Sequence, residues 1–251
     1  MTRRLQGKRV IFTGGVTNIG REVVELFQAE GARMVVADID RDAGRALAEA
    51  LGDGVNFVHV DVTDEDSVRR MIEAGVETLG GLDVLCQNAG AQRSGKVTEF
   101  AAEDWDMLFR VNARAHFFGA KYAVPHLRKA GKGAIVNTSS LAGQRGGGGM
   151  TAYSATKGAV IAFSTALAIE LAPDNIRVNT ICPGWVDTPF NKPAIDFMGG
   201  RGNQDDIVAR TVPLGRQAHP SEMAPLFVYL ASDESSYMTA QAITIDGGVY
   251  N

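Results

Sequence analysis

Short apolar segments rich in β-branched residues alternate with helical segments along the whole chain, and this alternation constrains the fold more than any other feature. The predicted strands are Arg9–Thr13, Met34–Ala37, Asn56–Val60, Val84–Gln87, Ala134–Thr138, Arg177–Cys182 and Ala242–Asp246. The predicted helices are Ile19–Glu30, Asp42–Leu51, Asp64–Leu79, Glu103–Lys129 with a kink at Pro125, Ala152–Ala172 and Ser221–Ala231. Strands this apolar are buried on both faces. The pattern therefore predicts an α/β fold, a doubly wound parallel sheet of roughly seven strands with helices on both faces.

Composition limits the other possibilities. At 251 residues the chain suits one such domain, 1–251, and no shift in composition marks a second. A formal charge of −4 lacks the basic footprint of a nucleic-acid-binding protein. The start of the chain has no apolar stretch typical of a signal peptide, and polar residues interrupt the apolar run Ala159–Ala172. We expect a cytoplasmic protein with neither a nucleic-acid nor a membrane partner.

The four histidines and two cysteines are scattered and never stand at metal-ligand spacing. We therefore predict no metal site. A disulfide between Cys86 and Cys182 stays open at this point, although two buried free thiols are favoured.

The first predicted strand leads through a glycine-rich turn, Thr13–Gly20, directly into a helix. A diphosphate needs backbone N–H groups and a helix N-terminus without side chains in the way, and such a turn supplies them. A tight turn without a ligand is the alternative for the glycines alone. Asp38 favours the first interpretation, because a dinucleotide-binding fold places a carboxylate at the end of its second strand to bind the adenosine ribose.

Tyr153 and Lys157 are four residues apart and share one helix face. A free tyrosine has a pKa near ~10, but a close ammonium group favours the phenolate and lets the phenol exchange protons near neutral pH. The spacing is common on helix surfaces, so its meaning depends on the surrounding motifs.

Those motifs resemble the short-chain dehydrogenase/reductase family over nearly the whole chain, and they occur in the family's order. They are TGGVTNIG at 13–20, Asp61-Val62, QNAG at 87–90, Asn112, IVNTSS at 135–140, YSATK at 153–157, PGWVDTP at 183–189 and IDGG at 245–248. The resemblance implies a Rossmann-like fold and a reaction in which a nicotinamide dinucleotide exchanges a hydride with a substrate. It also implies a homotetramer.

The resemblance assigns a catalytic tetrad. Ser140 would orient the reacting oxygen, and Tyr153 would be the acid/base. Lys157 would lower the pKa of the tyrosine and hold the nicotinamide ribose, while Asn112 would anchor a water on the proton's route. The implied cofactor-binding residues are Gly14, Thr17, Asn18, Ile19, Gly20, Asp38, Ile39, Asp61, Val62, Asn88, Ala89, Gly90, Tyr153, Lys157, Pro183, Gly184, Val186 and Thr188. We expect residues 1–90 to bind mainly the dinucleotide and residues 91–251 to carry catalysis and the substrate.

Two positions depart from the family's pattern. Asn18 replaces the middle glycine of the first turn, and Asn is among the few residues that tolerate left-handed backbone angles. Gln87 replaces the first asparagine of Asn-Asn-Ala-Gly; we treat this as a mild change and assign the bracing of the sheet to Asn88.

The reaction predicted from the resemblance is oxidation of a secondary alcohol to a ketone with NAD, which Asp38 favours over NADP. One alternative is a 3-oxoacyl thioester reductase, usually NADPH-linked. Another is a non-catalytic dinucleotide sensor, which would not need the complete tetrad.

The sequence does not name the substrate. Two Gln-Arg pairs lie in loops that flank the reacting centre in this fold, and an arginine fork matches a carboxylate or phosphate. The candidate substrate residues are Arg93, Gln144, Arg145 and Trp185, and the irregular segment 187–216 is a candidate lid.

Overall fold

All of the predicted strands form one parallel sheet in the computed structural model, which describes residues 3–250. The strands are Arg9–Thr13, Arg33–Asp38, Val55–His59, Val84–Gln87, Gly133–Thr138, Ile176–Pro183 and Ala242–Ile245, numbered β1 to β7 in chain order. Their order across the sheet is β3-β2-β1-β4-β5-β6-β7, and every neighbouring pair is parallel. The order reverses direction between β1 and β4, where folds of this kind bind their ligands.

The helices cover both faces of this sheet. They are Asn18–Ala29, Arg41–Leu51, Glu65–Leu79, Ala102–Phe109, Ala115–Lys129, Ala142–Arg145, Thr151–Leu171, Lys192–Phe197, Arg201–Thr211 and Ala224–Ala231, numbered α1 to α10. The core on one face joins α1 and α10, where Phe12 contacts Phe27 and Phe227 with ring centroids 6.1 Å apart. The core on the other face joins α3, α5 and α7 to the sheet. Two buried faces explain why the strands are continuously apolar, and the predicted fold class is confirmed.

The long predicted helix 103–129 is interrupted upstream of Pro125, the residue where a kink was expected. The chain departs from α geometry at Arg110–Arg114, which forms a π-helical turn between α4 and α5. Helix α5 then continues through Pro125 to Lys129. Single π turns within helices are frequent at functional sites, and this one contains Asn112.

The segment 187–216, predicted to be irregular, is mostly helical. A short 3₁₀ turn at Pro189–Asn191 precedes α8, and α9 follows after Gly199 and Gly200. Helix α9 buries only Gln204 and Val208, so it lacks the apolar periodicity by which a helix is recognised in a sequence. The exposed pair Arg201 and Asp205, one turn apart, supports it instead.

Helix α7 and the turn after it, Thr151–Asp174, are long and apolar enough by composition to cross a membrane. One face of α7 packs against the sheet, and its buried residues recur every three or four positions. The face that packs against the sheet also carries Tyr153 and Lys157. Cys86 and Cys182 are buried and unpaired, as favoured from the sequence.

Candidate active site

The carboxyl ends of β1, β2, β4, β5 and β6 meet at one edge of the sheet, where a cavity of about 810 Å³ opens. Most of the predicted site residues line it. They are Gly14, Thr17, Asn18, Ile19, Asp38, Ile39, Asp61, Val62, Asn88, Ala89, Gly90, Ser140, Arg145, Tyr153, Lys157, Pro183, Gly184, Trp185, Val186 and Thr188. Four predicted residues do not line it: Gly20, Asn112, Arg93 and Gln144.

The turn after β1 is shaped by positions that leave no room for side chains. Gly14 has a φ of +71°, and a Cβ there would lie 2.6 Å from the backbone nitrogen of Ala89. A Cβ on Gly20 would collide with the carbonyl oxygen of Gly14, which explains why this glycine is required although it does not line the cavity. Asn18 has a φ of +51°, so the expected left-handed asparagine is confirmed. Helix α1 starts here without a side-chain cap, whereas Asp40 and Asp64 cap α2 and α3.

Acidic residues follow β2 and β3 at the same edge. Asp38 is the last residue of β2, and its carboxylate accepts hydrogen bonds from the backbone N–H groups of Asp40 and Val16, at 3.2 and 3.5 Å. Asp61 is held by Thr63, whose backbone nitrogen and hydroxyl donate to one carboxylate oxygen at 2.9 and 2.8 Å. Both carboxylates are therefore fixed by local backbone contacts.

Gln87 and Asn88 share the bracing of the sheet, which the sequence interpretation gave to Asn88 alone. Asn88 donates to the carbonyl of Gly14 at 2.8 Å. The buried Gln87 side chain donates to Asn137 Oδ1 at 2.9 Å and to the carbonyl of His116 at 3.2 Å, so it joins β4 to β5 and α5. The Gln87 side chain fits here because residue 119 is a glycine. A Cβ on Gly119 would collide with the Gln87 amide. Gln87 is thus an interior support, and the longer side chain reaches partners on two elements.

Tyr153 and Lys157 lie one turn apart on the buried face of α7, and Ser140 follows β5. The Lys157 Nζ lies 5.8 Å from the Tyr153 ring centroid and donates to the carbonyl of Thr138 at 2.9 Å. The Ser139 hydroxyl donates to the carbonyl of Lys157 at 2.7 Å. These contacts join α7 to the end of β5. Tyr153, Lys157 and Ser140 therefore lie on the same wall of the cavity.

Burial governs the ionisation of this pair. It raises the pKa of Tyr153 to about 12, and a side-chain hydrogen bond with Ser140 acts in the opposite direction. It lowers the pKa of Lys157 to about 8. The sequence interpretation expected a lowered tyrosine pKa. The structure differs because desolvation disfavours both charged forms, the phenolate and the ammonium.

Asn112 lies behind the cavity wall, fully buried in the π turn. Its Oδ1 accepts from Ala91 N at 2.8 Å, and its Nδ2 donates to Ala91 O at 2.9 Å and to Thr156 Oγ1 at 3.1 Å. Both amide hydrogens are used, so the side chain fixes the loop after β4 against α7. A Cβ on Gly90 would lie 3.4 Å from Asn112 Oδ1 and 3.6 Å from Lys157 Nζ. Gly90 therefore keeps this corner free of a side chain.

The last residue of β6, Pro183, and the loop after it, with Gly184, Val186 and Thr188, also line the cavity. Gly184 is packed against the C-terminal segment, since a Cβ there would lie 2.5 Å from the Cβ of Asp246. The Asn191 side chain donates to the Val186 carbonyl at 2.6 Å. The loop is therefore held from both ends. The ring of Phe190 lies 6.3 Å from that of Tyr153 and forms part of the cavity beside the phenol.

The four candidate substrate residues separate in the structure. Trp185 and Arg145 line the cavity. Arg93 lies outside it, pairs with Asp104 at 3.6 Å and donates to the carbonyl of Gln92 at 2.9 Å. Gln144 turns toward β7, where it accepts from the Thr244 hydroxyl at 2.8 Å. Sequence spacing from Ser140 and Gly90 could not reveal this, because it does not fix the direction of a side chain.

Several apolar cavity residues were not predicted individually as site residues, although four of them lie in the candidate lid 187–216. The apolar side chains Met150, Phe190, Phe197, Met198, Ile207 and Val249 belong to this group. They converge from the loop before α7, from the segment 187–216 and from the end of the chain. Among the described residues, 3–250, no group of three His, Cys, Asp or Glu side chains is arranged to hold a metal ion.

Comparison with known proteins agrees with this geometry. Residues 15–250 match the protein family described as enoyl-(acyl carrier protein) reductase. The chain is 38% identical to a 3-oxoacyl-(acyl-carrier-protein) reductase of Thermotoga maritima, covering 98% of this chain and 99% of the relative. It is 39% identical to a 3-alpha-(or 20-beta)-hydroxysteroid dehydrogenase of Mycobacterium tuberculosis, covering 99% and 91%.

A trans-4-hydroxycyclohexanecarboxylate dehydrogenase of Sinomonas cyclohexanicum is 38% identical, covering 98% of this chain and 93% of the relative. The crystal structure of a short-chain type dehydrogenase/reductase from Mycobacterium marinum superposes with a TM-score of 0.91 at 33% identity, covering 99% and 97% of the two chains. The chain is a member of the short-chain dehydrogenase/reductase family.

Proposed function

We propose that this protein is an NAD(H)-dependent oxidoreductase that interconverts a secondary alcohol and a ketone, with Tyr153 as the acid/base. Members of the family act on CH–OH groups with a nicotinamide dinucleotide. One observation carries the proposal for this chain: Ser140, Tyr153 and Lys157 line the same cavity as the glycine-rich turn and Asp38.

The residues at the cavity fit a dinucleotide. Gly14 and Gly20 stand where a Cβ would collide with backbone, so the turn brings its N–H groups to the cavity without side chains between them. Asp38 would hold the adenosine ribose, Asp61 and Val62 would meet the adenine, and Asn88 to Gly90 would line the middle. Lys157, Val186 and Thr188 would hold the nicotinamide end. When bound, the nicotinamide supplies the hydride donor or acceptor.

The protein's own part in the reaction is to orient the substrate and to move one proton. Ser140 would donate a hydrogen bond to the reacting oxygen and hold it beside the Tyr153 hydroxyl. With a pKa raised to about 12, the phenol is protonated at neutral pH and can donate to a ketone oxygen during reduction. In the reverse direction it must give up its proton, and a protonated Lys157 nearby stabilises the phenolate.

NAD is the proposed cofactor because of the side chains around the end of β2. Asp38 would accept a hydrogen bond from a ribose 2′-hydroxyl and repel a 2′-phosphate. Thr17 and Ile39, which line the same part of the cavity, carry no positive charge. Arg41 begins α2 on the exposed surface and does not line the cavity.

Two of the three relatives above suggest the substrate class. One is named for a hydroxysteroid and another for a hydroxycyclohexanecarboxylate, so both names describe an alcohol that contains an alicyclic ring. The apolar cavity walls of this chain, formed by Met150, Phe190 and Phe197 among others, suit a ring of this kind. We therefore propose an alicyclic secondary alcohol.

A screen of the wild-type enzyme with NAD tests the proposal. Steroid, cyclic-alcohol, polyol and hydroxyacid panels are incubated with NAD, and NADH formation is followed by absorbance. We expect turnover within the cyclic-alcohol or steroid panel. Binding of NADH without turnover of any secondary alcohol, or of any ketone in reverse, would instead indicate a dinucleotide sensor.

A second candidate is reduction of 3-oxoacyl thioesters, favoured by the similarity to the Thermotoga maritima reductase. Asp38 weighs against it because such reductases are usually NADPH-linked. Reduction of acetoacetyl thioesters separates the two functions. We expect the catalytic efficiency for the thioester with NADPH to be far below that for the best cyclic ketone with NADH. The reverse order would favour the thioester reductase.

A further inference from the structure

The end of the chain after β7 folds back over the segment that follows Ser140. The Arg145 Nη1 donates to the carbonyl of Val249 at 2.7 Å, and the guanidinium carbon lies 5.7 Å from the centroid of the Tyr250 ring. Asp246 shapes this tail, accepting from Gly248 N at 2.9 Å and from Tyr250 N at 2.6 Å. We call residues 246–250 the C-terminal tail. Its contacts hold the guanidinium at two points.

The backbone that carries Arg145 is held as well. The neighbouring Gln144 accepts a hydrogen bond from the Thr244 hydroxyl at 2.8 Å and donates to the carbonyl of Ala242 at 3.4 Å. Both partners belong to β7, so the short helix α6 is attached to the last strand. Arg145 directly precedes the glycine stretch Gly146–Gly149, yet its contacts hold it at the C-terminal end of the fold.

Arg145 and Val249 line the same cavity as Tyr153. Apolar residues also line this cavity, including Met150, Trp185 and Phe197. Arg145 is itself exposed at this cavity, so its attraction to an anion strengthens only as a bound substrate displaces water from these walls. Arg93, the other arginine considered from the sequence, lies outside the cavity and pairs with Asp104, which makes it a suitable control.

We propose that the C-terminal tail is a specificity element that holds Arg145 in place to bind a carboxylate on the substrate. This inference rests on the proposed function. The substrate would be a secondary alcohol whose apolar ring separates the reacting carbon from the carboxylate. The contact with Val249 needs only one of the five guanidinium N–H groups. The planar fork matches the two oxygens of a carboxylate better than it matches a neutral amide.

Two substrates that differ in one group test this proposal: 4-hydroxycyclohexanecarboxylate and its carboxamide. Wild type should show a lower KM for the carboxylate. Arg145→Ala should raise that KM about tenfold or more, the usual scale for losing a charge-assisted hydrogen bond, and leave KM for the carboxamide within about twofold. Tyr250→Ala should raise the carboxylate KM by a smaller factor because it removes only the stacking contact. Arg93→Ala should change neither KM.

Binding supplies a readout that does not depend on turnover. Cyclohexanecarboxylate is titrated calorimetrically into wild type and Arg145→Ala, each saturated with NADH and each checked for an unchanged unfolding midpoint. We expect binding by wild type and a loss of about tenfold or more in the variant.

Equal KM changes for the two substrates, no change in Arg145→Ala, or no carboxylate binding by wild type would overturn the role of Arg145. An unchanged carboxylate KM in Tyr250→Ala would overturn the role of the tail. Turnover of neutral cyclic alcohols would remain in each case, so failure of this inference is distinct from failure of the proposed function.

Discussion

A few side chains around the end of β2 define the end of the cavity that we propose to hold the adenosine. Asp38 is held there by the backbone of Asp40 and Val16, and the exposed Ile39 follows it. The sequence located this carboxylate because β2 is strongly apolar and ends at one polar residue. It also predicted the left-handed Asn18, because backbone tolerance is a property of the residue itself. It missed the role of Gln87, whose partners Asn137 and His116 are 50 and 29 residues away.

Replacement of Asp38 by asparagine should weaken the preference for NAD. The variant keeps a hydrogen-bonding side chain but removes the charge that repels a 2′-phosphate. We expect the ratio of kcat/KM for NAD to that for NADP to fall by about tenfold or more. Asp42→Asn, which removes the same charge from the exposed first turn of α2, is the control. Equal efficiency of wild type with the two cofactors would contradict the account.

The rate of alcohol oxidation should rise with pH. Oxidation needs the Tyr153 proton to leave, and burial holds the pKa of that phenol at about 12 and the pKa of Lys157 at about 8. The two groups titrate as a pair, so the apparent pKa values of the profile belong to the pair and not to either residue alone. Ketone reduction should fall over the same range. The coupling would be contradicted if kcat/KM for oxidation changed by only about a few tens of per cent between pH 6 and 10.

At the scale of elements, the helices that cover the sheet were predictable and those that cover the cavity were not. Helices α1, α3 and α7 carry apolar residues at helical spacing because they pack on the sheet. Helices α8 and α9 bury few residues, so their sequence has no such pattern. The π turn at Arg110–Arg114 was also missed. It depends on the contacts of Asn112 with Ala91 and Thr156, which are distant in sequence.

The segment 187–216 should act as a lid built from these two helices. Phe190 and Phe197 line the cavity, and the ion pair between Arg201 and Asp187, at 2.8 Å, joins α9 to the loop after β6. Hydrogen exchange in this segment should slow when NADH and a substrate analogue bind, because closure excludes water. Helix α3, which packs on the sheet and does not line the cavity, provides the reference segment. Exchange that is unchanged in 187–216 would count against a lid.

For the whole molecule, the exposed apolar residues indicate further contacts. Trp105 on α4, Phe117 on α5 and Ile169 on α7 are 42%, 48% and 70% exposed. Only a third of the apolar stretch of α7 is buried within this chain. Exposure of large apolar side chains on neighbouring helices to water is energetically unfavourable. We expect these helices to pair between subunits.

Light scattering at micromolar concentration should therefore give about four times the chain mass of 26.7 kDa. Ile169→Glu should reduce the mass, because it places a charge in the subunit contact. Val97→Glu, which changes a residue that is 73% exposed outside these helices, should not. A wild-type particle of the mass of one chain would refute the tetramer.

The measurement closest to the central claim compares Tyr153→Phe with wild type for turnover and for NADH binding. The change removes only the hydroxyl, and the ring can keep its contact with Phe190. We predict that turnover in both directions falls by about a thousandfold or more, the scale expected for loss of a general acid/base, while NADH affinity changes less than about threefold. A variant that keeps a tenth of the wild-type turnover, on the order of 1.4 kcal/mol in barrier, would remove Tyr153 from the acid/base role.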